Sequence, residues 1–180
     1  MYIWIKGICF FQKWNGFGFI RSIQVAIIMG SKSDWDVMSY AAAMLSELDI
    51  QHEAKVISAH RTPDLLDEYC AKLQEKEVKV IIAGAGLAAA LPGVVAAKTI
   101  LPVIGVPLVA GSLDGLDALM SIVQMPPGIP VGTMALGKPG AINSALFAAA
   151  ILALTDTSIA QRISAYREKQ AQKILESELE

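Results

Sequence analysis

The chain has 180 residues, of which 54% are hydrophobic and 18% charged, and its formal net charge at pH 7 is −2. This length suits one domain with a complete core, and so much apolar material with so little charge excludes a disordered chain. The basic residues are scattered, so the positive patch of a nucleic-acid-binding protein is absent and no nucleic-acid partner is expected.

Residues 1–22 differ from the rest of the chain because they are rich in aromatic residues and glycine. A signal peptide needs an unbroken apolar stretch, and Gln12, Lys13 and Asn15 interrupt this one. We interpret 1–22 as an extension outside the core and 23–180 as a single domain. An anchor on a membrane surface is the less favoured alternative, and no membrane partner is expected.

After this extension, short β-rich runs alternate with stretches in which apolar residues recur at helical spacing. Ser33 or Asp34 is expected to cap the first helix, and Thr62 with Pro63 to open the second. The predicted strands are 24–29, 52–57, 78–83, 103–107 and 130–134. The predicted helices are 34–48, 62–77, 92–99, 114–123, 141–154 and 156–178.

The stretch 80–97 contains no charged residue and is about as long as a membrane-spanning helix. It opens with a compact β-rich run, and it is interrupted by Gly84, Gly86, Pro92 and Gly93. A strand, a glycine turn and a helix of small residues therefore fit it better. Such a strand is apolar on both faces, as in a buried parallel sheet.

Strands that alternate with helices imply right-handed crossovers and a parallel sheet covered by helices on both faces. Five strands suit a flavodoxin-like, three-layer α/β/α sandwich with a five-stranded parallel sheet, followed by C-terminal helices. Ligands in such sheets bind beyond the carboxyl ends of the strands. Three loops, 30–34, 58–63 and 84–91, are expected there side by side.

The predicted helix 141–154 is apolar almost all round. A helix of this kind is normally buried on every side. In so small a domain, part of that burial is expected to come from another subunit. The sequence therefore predicts a homo-oligomer.

The loop 30–34 reads Gly-Ser-Lys-Ser-Asp and joins a strand to a helix N-terminus. Free backbone N–H groups and the helix dipole favour an anion there, and Asp34 is able to accept a hydrogen bond from a sugar hydroxyl. The loop matches neither a Walker motif nor GxGxxG. An ordinary capped turn is the alternative.

The loop 58–63 reads Ser-Ala-His-Arg-Thr-Pro. His60 is able to move a proton near neutral pH, and the planar guanidinium of Arg61 suits a phosphate or carboxylate. A surface turn with a capping Thr-Pro is the less favoured alternative. His52, in contrast, lies early in a strand and is interpreted as structural or solvated.

The glycine-rich loop 84–91 lacks bulky side chains, so its backbone is able to approach a flat ligand closely. A tight turn that serves packing is the alternative. Residues 121–128 and 137–138 are further loop candidates.

Metal chemistry is not predicted, because two cysteines and two histidines are too few for a zinc or iron–sulfur motif of the usual spacing. One disulfide is open to Cys9 and Cys70, but free thiols in a cytoplasmic chain are the simpler interpretation.

Six segments taken together resemble one family. They are VAIIMGSKSDWDVM, VISAHRTPDLL, VIIAGAGLAAALPGVVAAKT, LPVIGVPL, SIVQMPPGIPVGTMALGK and GAINSALFAA, and they span about residues 24–170. The chain is similar to the class I N5-carboxyaminoimidazole ribonucleotide mutases, the PurE family of purine (IMP) biosynthesis. The first 22 residues are not covered by the resemblance.

The resemblance implies a flavodoxin-like octamer whose substrate is a small ribonucleotide. The reaction moves a carboxylate from an exocyclic nitrogen to ring carbon four through CO2 trapped in a closed pocket, without metal, biotin or nucleotide cofactor. By resemblance His60 is the general acid/base, Ser31, Ser33 and Arg61 bind the phosphate, and Asp34 binds the ribose. Further substrate-binding positions implied are Ser58, Ala59, Gly84, Ala85, Gly86, Ala88, Ala90 and Leu91.

The chain departs from the family pattern at three positions. Ala90 stands where the family usually has His, Leu87 where Gly is frequent, and Pro127 where a small or basic residue is common. An active mutase is the leading hypothesis. A catalytically impaired ribonucleotide-binding homologue, a class II carboxylase that uses free CO2, and a flavodoxin-like flavin binder remain open alternatives.

Overall fold

The computed structural model describes residues 2–5, 8–11, 22–73 and 75–178, with only the backbone of the first two ranges. Those two ranges are strands β1 (Tyr2–Ile5) and β2 (Ile8–Phe11), which pair with each other in antiparallel fashion. They form a two-stranded sheet separate from the main one. This hairpin is additional to the predicted elements.

The main sheet has five strands, all parallel, and confirms the predicted flavodoxin-like sandwich. The strands are β3 (Val25–Met29), β4 (His52–Val56), β5 (Val80–Ala85), β6 (Val103–Pro107) and β7 (Gly132–Thr133). Their order across the sheet is β4-β3-β5-β6-β7. The chain therefore runs outwards from β3 first to one side and then to the other, and ligand sites are expected where the order reverses.

Six helices accompany the sheet in the described part of the chain. They are α1 (Trp35–Glu47), α2 (Pro63–Leu73), α3 (Leu91–Ala96), α4 (Leu116–Val123), α5 (Gly137–Leu152) and α6 (Thr157–Leu175). None of the helices in the described residues combines the length and the apolar character that crossing a membrane demands.

Alternate side chains of β3 supply the two cores of the sandwich, because successive residues of a strand point to opposite faces. Val25, Ile27 and Met29 pack with residues of α1, α5 and α6 on one face. Ala26 and Ile28 pack with residues of α2, α3 and α4 on the other. All five residues are buried, which explains why this strand is apolar throughout.

Some predicted boundaries are wrong, and each difference has a local cause. The predicted strand 78–83 begins at Val80 instead, because Val78 N–H donates to the Leu73 carbonyl at the end of α2 and not to a neighbouring strand. The fifth helix starts at Gly137, because Pro139 is tolerated in a first turn that has no N–H partner to lose. The uncharged stretch 80–97 is a strand, a turn and a short helix, as predicted.

Helix α5 packs against α1, α6, β5 and β6, so most of its apolar surface is covered within the chain. Its Ser144 hydroxyl is buried and donates to the Ala141 carbonyl at 2.7 Å. Phe147 remains 46% exposed on the same helix. The burial predicted to come from a second subunit is thus limited to one side of the helix.

Candidate functional site at the carboxyl edge of the sheet

A cleft of about 520 Å³ lies at the carboxyl ends of the strands, where the three predicted loops meet. Every predicted site residue except Gly84 lines it. These residues are Ser31, Ser33, Asp34, Ser58, Ala59, His60, Arg61, Ala85, Gly86, Ala88, Ala90 and Leu91. Gly30, Leu87, Ala89 and Ala110 complete the lining. Of these four, Ala110 falls outside the three loops; it follows β6, so the same rule about strand ends predicts it.

The first loop is a tight turn that its own polar groups hold together. Ser31 caps a single 3₁₀ turn, Lys32–Asp34, and its Oγ accepts from Ser33 N–H at 3.3 Å. The carboxylate of Asp34 accepts from Ser31 N–H at 2.9 Å in return, which completes a capping box. Ser31 therefore caps the 3₁₀ turn, whereas Asp34 stands at the N-cap of α1, as predicted, although its side chain makes no capping hydrogen bond to that helix.

Asp34 lies partly buried between the cleft and this turn. Burial raises the pKa of Asp34 above its usual 3.8, while hydrogen bonds from Ser31 and Gly30 N–H and the positive charge of Arg61 partly oppose the rise. The two serine hydroxyls are 2.9 Å apart and bonded to each other. The loop thus offers a ligand both hydroxyl donors and a carboxylate acceptor.

The second loop is closed by Thr62, whose hydroxyl bonds both backbone groups of Ser58. Thr62 Oγ1 donates to the Ser58 carbonyl at 3.0 Å and accepts from Ser58 N–H at 3.1 Å. Thr62 N–H also donates to that carbonyl, at 2.9 Å. The closed turn places Ala59, His60 and Arg61 in the lining of the cleft.

Arg61 ties the second loop to the first. Its Nη2 donates to the Gly30 carbonyl at 2.7 Å, and its Nε donates to Ser58 Oγ at 3.3 Å. Ser58 Oγ also accepts from the Arg61 backbone N–H at 3.2 Å. The guanidinium of Arg61 consequently lies beside the serine-rich turn, and a planar cation of this kind suits a phosphate or carboxylate.

The two histidines have different surroundings. His60 is exposed on the cleft wall and makes no hydrogen bond within the described residues, so its ring is free to meet a ligand. His52 lies at the start of β4, at the opposite end of the strand, and its Nδ1 is 3.0 Å from the Ile50 carbonyl. Only His60 is placed to act on a ligand in the cleft.

The third loop forms the apolar end of the cleft. Gly84 belongs to β5, and a Cβ there would overlap the side chain of Met38, so its glycine serves packing and not the cleft lining. A Cβ on Gly86 would lie 2.9 Å from Ala110 Cβ, so glycine allows the third loop to approach the loop after β6. Ala90 precedes α3 without a side-chain cap.

The other loop candidates lie outside this cleft, since none of 121–128 or 137–138 lines it. Lys138 instead places its Nζ 4.2 Å from the centre of the Tyr40 ring, a cation–π contact between α5 and α1. Cys70 is a buried free thiol, and Cys9, the other cysteine of the disulfide left open, has no side chain among the described residues.

Fold and cleft together define a flavodoxin-like α/β protein with a cleft at the carboxyl edge of its sheet whose lining suits a small anionic ligand. One end of the site is cationic and rich in hydroxyls, and the other is lined by alanine and leucine. His60 also lines this site.

Comparisons with known proteins give the family. The family model described as AIR carboxylase matches residues 24–173, and the chain belongs to this family. It is 54% identical over 153 residues to the N5-carboxyaminoimidazole ribonucleotide mutase of Bacillus subtilis (strain 168), covering 85% of this chain and 94% of that protein. It is 53% identical over 154 residues to the enzyme of that name from Escherichia coli (strain K12), covering 86% and 91%.

A solved structure supports the same assignment. The crystal structure of Treponema denticola PurE superposes with a TM-score of 0.78 at 32% identity, over 85% of this chain and 94% of that one. The family resemblance drawn from the sequence motifs is therefore confirmed.

Proposed function

We propose that this chain is a mutase that converts N5-carboxyaminoimidazole ribonucleotide to 4-carboxy-5-aminoimidazole ribonucleotide in purine biosynthesis. The observation that carries the proposal is the cleft itself, which is lined by one arginine, two serines and a histidine together with an apolar group of alanine and leucine residues. Relatives more than half identical over most of the chain bear the name of this activity.

Substrate binding follows from the polar end of the cleft. Arg61 with Ser31 and Ser33 holds the phosphate, and Asp34 accepts from a ribose hydroxyl. Because these contacts are remote from the reacting atoms, their binding energy serves to position the imidazole against the third loop. Ser58 and Ala59 flank the ligand from the second loop.

The chemical step is an intramolecular carboxyl transfer. The nitrogen–carbon bond of the carbamate breaks, and its electron pair returns to the exocyclic nitrogen as CO2 is released into the pocket. Carbon four of the ring then forms a bond to the retained CO2 and loses its proton, while the nitrogen gains one. His60, free of other hydrogen bonds in the described chain, carries that proton between the two atoms.

The test compares the chain with two variants, His60→Asn and Ala90→His, in the conversion of the carbamate substrate to the carbon-carboxylated product. His60→Asn is expected to abolish turnover and to leave ribonucleotide binding largely intact. Asn keeps a polar side chain of similar size, but its amide neither gains nor releases a proton at neutral pH. Equal loss of binding and turnover would make His60 an anchor and not the proton carrier.

Ala90 sets the alternative function, a ribonucleotide-binding homologue with impaired catalysis. Its methyl group lines the cleft and brings neither charge nor a hydrogen-bond donor. This alternative requires that the chain bind the ribonucleotide without turnover, and that Ala90→His restore turnover. Turnover by the unmodified chain would refute it.

We further propose that 23–180 is the catalytic domain, that 1–22 lies outside it, and that the protein acts in the cytoplasm as a homo-oligomer, an octamer by family resemblance. The exposed apolar side chain of Phe147 on α5 supports association. Sedimentation at micromolar concentration tests it, and a single monomeric species would refute it. Deletion of 1–22 is expected to leave both turnover and assembly unchanged.

A further inference from the structure

Leu87 has a backbone conformation that leucine rarely adopts. Its φ is +56°, in the left-handed region, where a residue with a Cβ is less stable than glycine by about 1–2 kcal/mol. Gly86 and Ala89 close the turn around it through a 3.1 Å hydrogen bond from Ala89 N–H to the Gly86 carbonyl. Such conformations concentrate at functional sites.

Packing does not compensate for this conformation. The side chain of Leu87 is 55% exposed, whereas Leu91, the other large aliphatic residue of the cleft, is only 3% exposed. Leu87 reaches across to the loop after β6, where its Cδ2 lies 2.8 Å from the position of a Cβ built on Gly111. It therefore bridges the two loops at the apolar end of the cleft.

Apart from the buried Leu91, the remaining wall at this end is made of short side chains, Ala85, Ala88, Ala89, Ala90 and Ala110. Methyl groups of this size leave room around a ligand that only a longer side chain can fill. Leu87 is the partly exposed residue that has this length.

We propose that Leu87 closes the apolar end of the cleft over the reacting atoms, excluding water and retaining CO2. This inference rests on the proposed function. In the productive path CO2 joins carbon four; in the escape path CO2 leaves, a proton from water adds to the nitrogen, and the product is the uncarboxylated aminoimidazole ribonucleotide. A tighter closure favours the first path, since excluded water prevents the side reaction.

The experiment uses the full chain and a substrate labelled in its carboxyl group, and it counts label in released CO2 against label in the carboxylated product, after subtraction of an enzyme-free blank. Leu87→Ala and Leu87→Gly are expected to raise the released fraction several-fold. Leu87→Met keeps the apolar length and is expected to match the unmodified chain. Leu65→Ala, at a 48% exposed leucine of α2 outside the cleft, is the matched control.

Each outcome has one meaning. An unchanged released fraction in Leu87→Ala overturns the inference, and so does a change in Leu87→Gly alone, which would assign the effect to the backbone. Dissociation of the assembly by Leu87→Ala would assign the side chain to a subunit contact and also overturn it. If the unmodified chain forms no carboxylated product, the proposed function fails instead. Unfolding midpoints in urea verify that the half-exposed position leaves every variant folded.

Discussion

Replacement of Gly84 by alanine separates a packing position from a binding position. Sequence reasoning placed Gly84 among the residues that contact the substrate, but it lies in β5 behind the cleft. A Cβ at this position would overlap Met38 Sδ and lie 2.9 Å from Met38 Cγ and 3.0 Å from Cε. Met38 is 0% exposed, so it has no solvent into which to move.

The magnitude follows from two opposed effects. Overpacking of a buried side chain costs about 1–3 kcal/mol, while the loss of glycine flexibility in the unfolded chain returns about 0.5–1 kcal/mol. Gly84→Ala is therefore expected to lower the free energy of unfolding by roughly 1–2 kcal/mol. Met38→Ala alone leaves a cavity and costs about 2–5 kcal/mol. The new methyl group partly fills that cavity, so the double variant is expected to be more stable than the sum of the single effects by about 1 kcal/mol.

The assay is urea unfolding followed by circular dichroism at fixed protein concentration, with KM measured on the folded protein. Gly132→Ala in β7 is the matched control, because its Cβ would meet Phe147 Cε1 at an ordinary 3.5 Å. KM of Gly84→Ala is expected to stay unchanged. The packing argument is refuted if Gly84→Ala is as stable as Gly132→Ala and the double-variant effects are additive. A raised KM without a change in stability would restore Gly84 to the binding site.

Three further predictions concern the polar end of the cleft. Arg61→Lys keeps the positive charge but loses the planar guanidinium that bonds Gly30 and Ser58. KM should therefore rise roughly five- to tenfold, with a smaller change in kcat. An equally large fall in kcat at constant KM would contradict this. Thr62→Val removes the hydroxyl that closes the turn carrying His60, so kcat/KM should fall. Thr62→Ser keeps this hydroxyl and should keep kcat/KM. Similar losses of kcat/KM in both variants would mean that the methyl group of Thr62 matters instead. The pKa of Asp34 is raised above 3.8, chiefly by burial, so the native state holds this proton more tightly than the unfolded chain does. The stabilisation from Asp34 is thus complete below pH 3.8 and is lost as pH rises through the raised value. The stability of the unmodified chain relative to Asp34→Asn should fall over that interval in urea titrations, and a constant difference would refute the assignment.

Much of the fold was predictable because its signals are local. The apolar run 25–29 indicates a strand that is buried on both faces. Such runs alternate with segments of helical periodicity, and this alternation implies a parallel sheet. From there, the rule that sites lie at the carboxyl ends of strands brings the loops 30–34, 58–63 and 84–91 together. The boundaries failed where a neighbouring element competes for the same backbone group, as at Val78, whose N–H bonds the end of α2.

The amino-acid sequence by itself determined the order of the elements, the three loops and the family, because periodicity and motif spacing are properties of neighbouring residues. Only the tertiary structure decided that Arg61 holds Gly30, that Gly84 packs against Met38, and that Leu87 reaches the loop after β6. These contacts join residues far apart in the chain. They depend on how strands and helices pack side by side, which no local pattern of residues specifies.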